Sequence, residues 1–140
     1  MGDKSTFINK YRPYRLTDFC TNDRFKQAVN TLISVDDLNI LFVGNSNAGK
    51  TSLLNTLIRE YYDLTSTDSL PENNILFVNN LKEQGIQYFR NDMKTFCQSM
   101  SAIYGKKKLV LIDDIDTINE QSQQVFRNYI DKYRNNIQFI

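Results

Sequence analysis

Apolar residues along the 140-residue chain follow two rhythms. Short, mostly apolar runs occur at 38–43, 74–78 and 108–113, and a fourth begins at 137–140. Runs of this length predict strands buried on both faces. Between them, apolar residues return every three or four positions, which predicts amphipathic helices. The first helix starts from an Asn22 or Thr21 cap and runs to about Ile33, with Phe25, Ala28, Val29, Leu32 and Ile33 on one face. The second runs from Lys50 to about Tyr62, with Leu53, Leu54, Leu57 and Ile58 facing the core. A long third helix, about Gly85 to Tyr104, carries Ile86, Phe89, Met93, Phe96, Cys97, Met100 and Ile103. Asn119 caps a fourth bearing Val125, Phe126, Tyr129, Ile130 and Tyr133. Residues 1–18 and 63–73 are polar, each with one proline, and read as irregular.

Apolar strands alternating with amphipathic helices imply a parallel sheet covered on both faces, with right-handed crossovers. A doubly wound domain does not usually stop two to four residues into a strand, so the expectation is one partial domain over 1–140, C-terminally truncated.

Composition narrows the chemistry. Seventeen basic and sixteen acidic residues leave a net charge of +1, so any nucleic-acid binding has to come from a local patch. The absence of histidine excludes histidine triads, histidine bases and histidine metal ligands. No stretch approaches the roughly 18 apolar residues of a membrane span, and no membrane partner is expected. Cys20 and Cys97 fit neither a disulfide framework nor a zinc knuckle. Both are expected to be reduced and buried, in a reducing intracellular compartment.

The strand at 38–43 ends in Gly44, Asn45, Ser46, Asn47, Ala48, Gly49, Lys50 and Thr51, which matches G-x-x-x-x-G-K-[ST]. Chance alone yields this octapeptide in roughly one chain in two hundred of this length. Here a strand precedes it and a helix follows, as a phosphate loop requires. Gly44 lets the chain turn off the strand, and Gly49 lets backbone approach a phosphate. Successive N–H groups, with those of the helix that opens at Lys50, Thr51 and Ser52, surround an anion with donors. Lys50 adds a point charge toward the β/γ-phosphates, and Thr51 offers a hydroxyl to Mg²⁺. The strand at 108–113 delivers Asp113 to the same sheet edge, where nucleotides bind in open α/β folds, as a Mg²⁺ partner. Asp114 is the candidate to polarise an attacking water. Asp116 is a loop acid, a cap or a further member of the metal shell. The chain lacks the D-x-x-G switch and N-K-x-D base reader of signalling GTPases, and the Arg-rich lid of small-molecule kinases. Paired acids at a strand end favour attack by water, hence ATP hydrolysis, with Lys50 and Asp114 as the catalytic pair.

Asn9-Lys10-Tyr11-Arg12-Pro13 followed by Leu16-Thr17-Asp18-Phe19 resembles the E-K-Y-R-P-x-x-L-x-D opening of clamp-loader small subunits of the replication factor C type, which are AAA+ ATPases. The Asn79…Glu83-Gln84-Gly85-Ile86 stretch and the Gln123-Gln124-Val125-Phe126-Arg127 helix resemble later pieces of that pattern, in the same order. The resemblance spans Phe7 to Ile140. It implies a P-loop NTPase of AAA+ type, an α/β/α three-layer fold. It also implies ATP and Mg²⁺ as cofactors, and a hetero-oligomeric ring of clamp-loader subunits acting on a sliding clamp and primer-template DNA. Tyr11, Arg12 and Pro13 would then wall and read the adenine; otherwise Tyr11 and Pro13 seal the core. Ile86 and Arg90 match the positions that track duplex DNA; otherwise Arg90 is a solvated helix residue. Lys106, Lys107 and Lys108 read either as a further DNA contact or as a charged turn, the turn preferred. The resemblance implies work at a nuclear or cytoplasmic replication site, a viral factory included.

The chain also departs from the pattern. Asn45-Ser46-Asn47 stands where Pro-Pro-Gly is usual, and Asn47 falls where glycine tolerates an unusual backbone angle. Asp114 stands where Glu is usual, one methylene shorter. The first sensor residue, the arginine finger, the lid and the collar lie outside 1–140, so this span alone is expected to hydrolyse ATP weakly. A non-catalytic subunit that binds nucleotide or serves as a scaffold, and another AAA+ DNA-processing ATPase, remain as alternatives.

Overall fold

A computed structural model describes residues 6–79 and 81–140, without a side-chain account for residues 81–89 and 117. Its elements in chain order are α1 (Phe7–Lys10), α2 (Asp23–Ser34), α3 (Lys50–Tyr61), β1 (Ile75–Val78), α4 (Leu81–Gln98), β2 (Lys108–Ile112), α5 (Glu120–Tyr133) and β3 (Ile137–Phe139), with a 3-10 turn at Leu16–Asp18. Both predicted asparagine caps are made. The Asn22 side chain accepts from Phe25 N and that of Asn119 from Ser122 N. Each satisfies an amide that the first turn of a helix leaves unpaired.

The three strands form a parallel sheet in the order β1-β2-β3. Ile75 pairs with Leu109 and Val78 with Ile112, while Lys108 pairs with Ile137 and Val110 with Phe139. Side chains of β2 alternate between two cores. Val110 joins Val78, Met93, Cys97, Phe126 and Phe139 on the α4/α5 face. Leu109 and Leu111 join Leu54, Ile58, Tyr61 and Ile140 on the α3 face. The expected three layers follow from this alternation. A third cluster, Leu16, Val29 and Leu57, fastens α2 and the opening segment to α3.

Several expectations are corrected. The run 38–43 is not a buried strand. Leu38 is fully buried and Ile40 and Phe42 half-buried, but Leu41 and Val43 are 69% and 88% exposed. The run lies along the free edge of β3, where Ile40 N donates to Phe139 O at 3.2 Å. The next bond is made by a side chain, Phe139 N to Asn39 Oδ1 at 2.9 Å. An asparagine side chain thus takes the place of a ladder carbonyl, and the outward residues meet no covering layer.

The long helix starts at Leu81 and stops at Gln98 rather than reaching Tyr104. Apolar spacing continues to Met100 and Ile103, but Ser99 Oγ returns to Phe96 O and buried Lys108 Nζ reaches Phe96 O and Ser99 Oγ. These bonds satisfy the Phe96 carbonyl, which another helical turn would have used. Met100 is consequently 92% exposed. Lys108 is therefore a buried cap beneath α4, not part of a solvated turn, and burial lowers its pKa below the ordinary lysine value. Cys97 is buried as expected, whereas Cys20 and Ala28 are exposed. Within 1–18 the described part holds one exposed helical turn, α1, and the 3-10 turn.

Candidate functional site

The loop Gly44–Gly49 joins the 38–43 run to α3. Ala48 N donates to Asn45 O at 3.2 Å, closing a turn that places Asn47 at φ 61°. Asparagine is among the few side chains that enter this left-handed region readily, so the residue the sequence marked as unusual meets its backbone demand. Gly49, the N-cap of α3, lies at φ 91°, where a side chain is strained even though a Cβ would find open space. Gly44 differs from expectation. Its φ is outside the left-handed region, and a Cβ there would sit in ordinary contact, 3.7 Å from Ala48 Cβ.

Lys50 opens α3 and folds back on the loop. Its Nζ donates to Gly44 O at 2.7 Å and Asn45 O at 2.9 Å. Thr51 Oγ1 points across to β2 and donates to Asp113 Oδ2 at 3.1 Å. Asp113 follows the last residue of β2, and its N–H bonds Val78 O at 3.2 Å, which fixes its height beside β1. Its Oδ1 accepts from Asp114 N at 3.1 Å. Asp114 sits at φ 55° and is exposed. The sheet edge thus presents two consecutive carboxylates, the first tied to both the first turn of α3 and its neighbour.

A cavity of about 450 Å³ lies between these parts. Gly44, Ser46 and Lys50 line one side, and Asp113, Asp114 and Asp116 the other. Ile40, Leu54, Ile112 and Ile140 add apolar wall. Half-buried Ser52 lies in the first turn of α3. The donor set is chemically suited to a magnesium-bound triphosphate. It has loop amides and an ammonium for phosphate oxygens, and a hydroxyl beside a carboxylate, the oxygen ligands Mg²⁺ prefers.

Tyr11, Arg12 and Pro13 are not in the lining of this cavity. Tyr11 is 64% exposed, so it does not seal the core; Pro13 is half-buried. The segment is fastened farther along α3. Thr56 Oγ1 donates to Pro13 O at 3.2 Å, and Glu60 Oε1 accepts from Leu16 N at 2.8 Å. The turn between is shaped by Asp18, whose Oδ2 accepts from Arg15 N and Tyr14 N. Those two bonds, Arg15 first, hold its carboxyl below the usual aspartate range. Sequence reading missed Thr56 and Glu60, whose partners lie 43 and 44 positions away. Their one signal was polar character beside the apolar stripe of α3. Arg90 is exposed on α4, with its carbonyl 3.5 Å from the Tyr129 hydroxyl. The side chain of Ile86 lies outside the described residues.

The model of the ATPase family associated with various cellular activities (AAA) matches residues 40–140. Among curated relatives, a replication factor C small subunit of Methanoregula boonei is 29% identical over 96% of this chain and 40% of its own length. That of Halobacterium salinarum is 27% identical, over 99% and 42% respectively. Replication factor C subunit 3 of Schizosaccharomyces pombe is 27% identical, over 99% and 40%. The chain therefore spans about two fifths of the length of the relatives it matches.

Proposed function

We propose, for a chain that belongs to the AAA ATPase family, the work of an ATP-binding and ATP-hydrolysing subunit of a DNA sliding-clamp loader. The family supports an ATPase and implies nucleotide binding, and the relatives named replication factor C small subunit support the clamp loader. The observation that carries the catalytic part is the hydrogen bond from Thr51 to Asp113, which joins the first turn of α3 to a carboxylate that lines the cavity with Lys50.

In this reading, amides of residues 44–52 surround the phosphates. Lys50 exchanges the carbonyls of Gly44 and Asn45 for phosphate oxygens. Thr51 and Asp113 would hold Mg²⁺, which when bound offsets charge on the phosphates. Asp114 accepts a proton from the attacking water. Tyr11, Arg12 and Pro13 read the adenine, and Ile86 and Arg90 follow DNA in a sequence-independent, salt-sensitive way. Nucleotide binding assembles a hetero-oligomeric ring that opens a sliding clamp, primer-template DNA triggers hydrolysis, and the clamp is released. The setting is an intracellular replication site.

A second reading, a subunit that holds nucleotide without turning it over, is favoured by the shorter reach of Asp114. Steady-state ATPase of the full-length protein with its clamp and primed DNA separates the two. Turnover that disappears in Asp114→Asn supports the first; nucleotide retained without turnover supports the second. Failure of the protein to retain a sliding clamp in a pull-down would remove the clamp-loader assignment from both.

A further inference from the structure

We propose that α3 sets the distance between the two ends of the nucleotide site, with Thr56 and Glu60 as positioning residues for the segment that carries Tyr11, Arg12 and Pro13. This rests on the base-reading role proposed above for that segment. α3 begins inside the phosphate loop, with Gly49 as N-cap and Lys50 as its first residue. About 9 Å farther along the axis, at 1.5 Å per residue, Thr56 holds the carbonyl of Pro13. One turn later Glu60 holds the amide of Leu16. Between them, fully buried Leu57 packs against Leu16. The Arg59 guanidinium lies 5.5 Å from the ring centre of Tyr14.

Thr56 has no exposed surface. A threonine inside a helix ordinarily returns its hydroxyl to a carbonyl of its own preceding turn. Here the hydroxyl goes to a residue 43 positions earlier. The residues that would meet the base are held less directly. Tyr11 and Arg12 are exposed, and the cavity beside the phosphate loop does not include them. Among the described residues, the polar contacts that reach 13–16 from outside the opening segment come from α3. One rigid helix therefore fixes both the phosphate end and the base end.

ATP joins a base to a triphosphate. A site binds the whole molecule more tightly than the triphosphate only when its two subsites stand at the right separation. Loosening the grip of α3 should therefore lower affinity for ATP and leave affinity for inorganic tripolyphosphate untouched. A purely structural role would not produce that split.

The test is calorimetry on the full chain, with ATP or inorganic tripolyphosphate in the presence of Mg²⁺, across Thr56→Val, Thr56→Ser, Glu60→Ala and Glu60→Gln. Thr56→Val and Glu60→Ala are expected to weaken ATP about tenfold and tripolyphosphate by less than about twofold. Thr56→Ser and Glu60→Gln keep a donor and an acceptor, and retain the wild-type ratio. Equal weakening of both ligands, or unchanged ATP affinity in Thr56→Val, overturns the proposal. Wild-type protein that binds ATP no tighter than tripolyphosphate overturns the base-reading role itself, which is visible before any variant is made. The two positions act on different backbone atoms, so a variant that fails to fold at one leaves the other decisive.

Discussion

The hydroxyl of Thr51 donates to Asp113 Oδ2 at 3.1 Å, although the two residues stand 62 positions apart. One is the second residue of α3; the other directly follows the middle strand of the sheet. Removing the hydroxyl should separate metal-dependent from metal-independent binding. Thr51→Ala is expected to weaken ATP about tenfold with Mg²⁺ present and to change little in EDTA. Isothermal titration under both conditions reads the difference, and equal losses would contradict the magnesium role of Thr51.

Asp113 and Asp114 should fail in different ways. Asp113→Asn loses ATP affinity in Mg²⁺, because a carboxylate ligand becomes an amide. Asp114→Asn keeps affinity and loses turnover by a factor on the order of 10² or more. Filter binding and steady-state ATPase on the full-length protein with clamp and primed DNA distinguish the two. Normal turnover in Asp114→Asn would assign the base to another residue.

The two loop glycines should respond unequally to alanine. Gly49→Ala forces a side chain to φ 91° and is expected to cost about 1–2 kcal/mol. Gly44→Ala meets only ordinary contacts and should leave the melting temperature within about 1 °C of wild type. Thermal denaturation of both variants checks this, and a large loss at Gly44 would show that the loop needs more than the space around it reveals.

The two cysteines should differ in reactivity and in their effect on stability. Exposed Cys20 should react with a thiol reagent at once, and Cys97 only on unfolding. Burial pushes the Cys97 thiol up to about 11 from an ordinary value of 9.0. Above pH 9 the unfolded chain loses this proton while the folded chain keeps it. Stability contributed here is therefore complete below pH 9 and declines as pH rises toward 11. The decline is on the order of 2 kcal/mol. Cys97→Ala should flatten that part of the alkaline limb in denaturant titrations at pH 8 to 11. Tyr61 and Tyr62, whose buried hydroxyls are also raised, act equally on both proteins, whereas Lys108 and Tyr129 feel the charge of Cys97 and contribute to the difference.

Much of this was legible in advance because it is local. The caps at Asn22 and Asn119, the strands 75–78 and 108–112, and the loop geometry at Asn47 each follow from a few adjacent residues. What was not legible depends on distant partners. Nothing near Thr56 points to Pro13, and nothing near Gly85–Tyr104 says that Lys108 will end the helix from below. Nor does the run 38–43 show that the Asn39 side chain will take the place of a ladder carbonyl beside β3. Asp36, Tyr61 and Gln138 are a further case. Tyr61 donates to Asp36 Oδ1 at 2.5 Å and Gln138 Nε2 to the same oxygen at 3.0 Å, joining α3, β3 and the turn after α2 over a hundred positions.

The seat of Lys108 beneath α4 has a mechanical side. Its ammonium grips Phe96 O and Ser99 Oγ from the first residue of β2, and the strand it begins runs straight to Ile112, beside Asp113. A helix tied at its tail to the root of a strand cannot slide alone. Any tug on α4 is felt at the foot of β2, five residues and about 17 Å below the carboxylates, at 3.3 Å per residue.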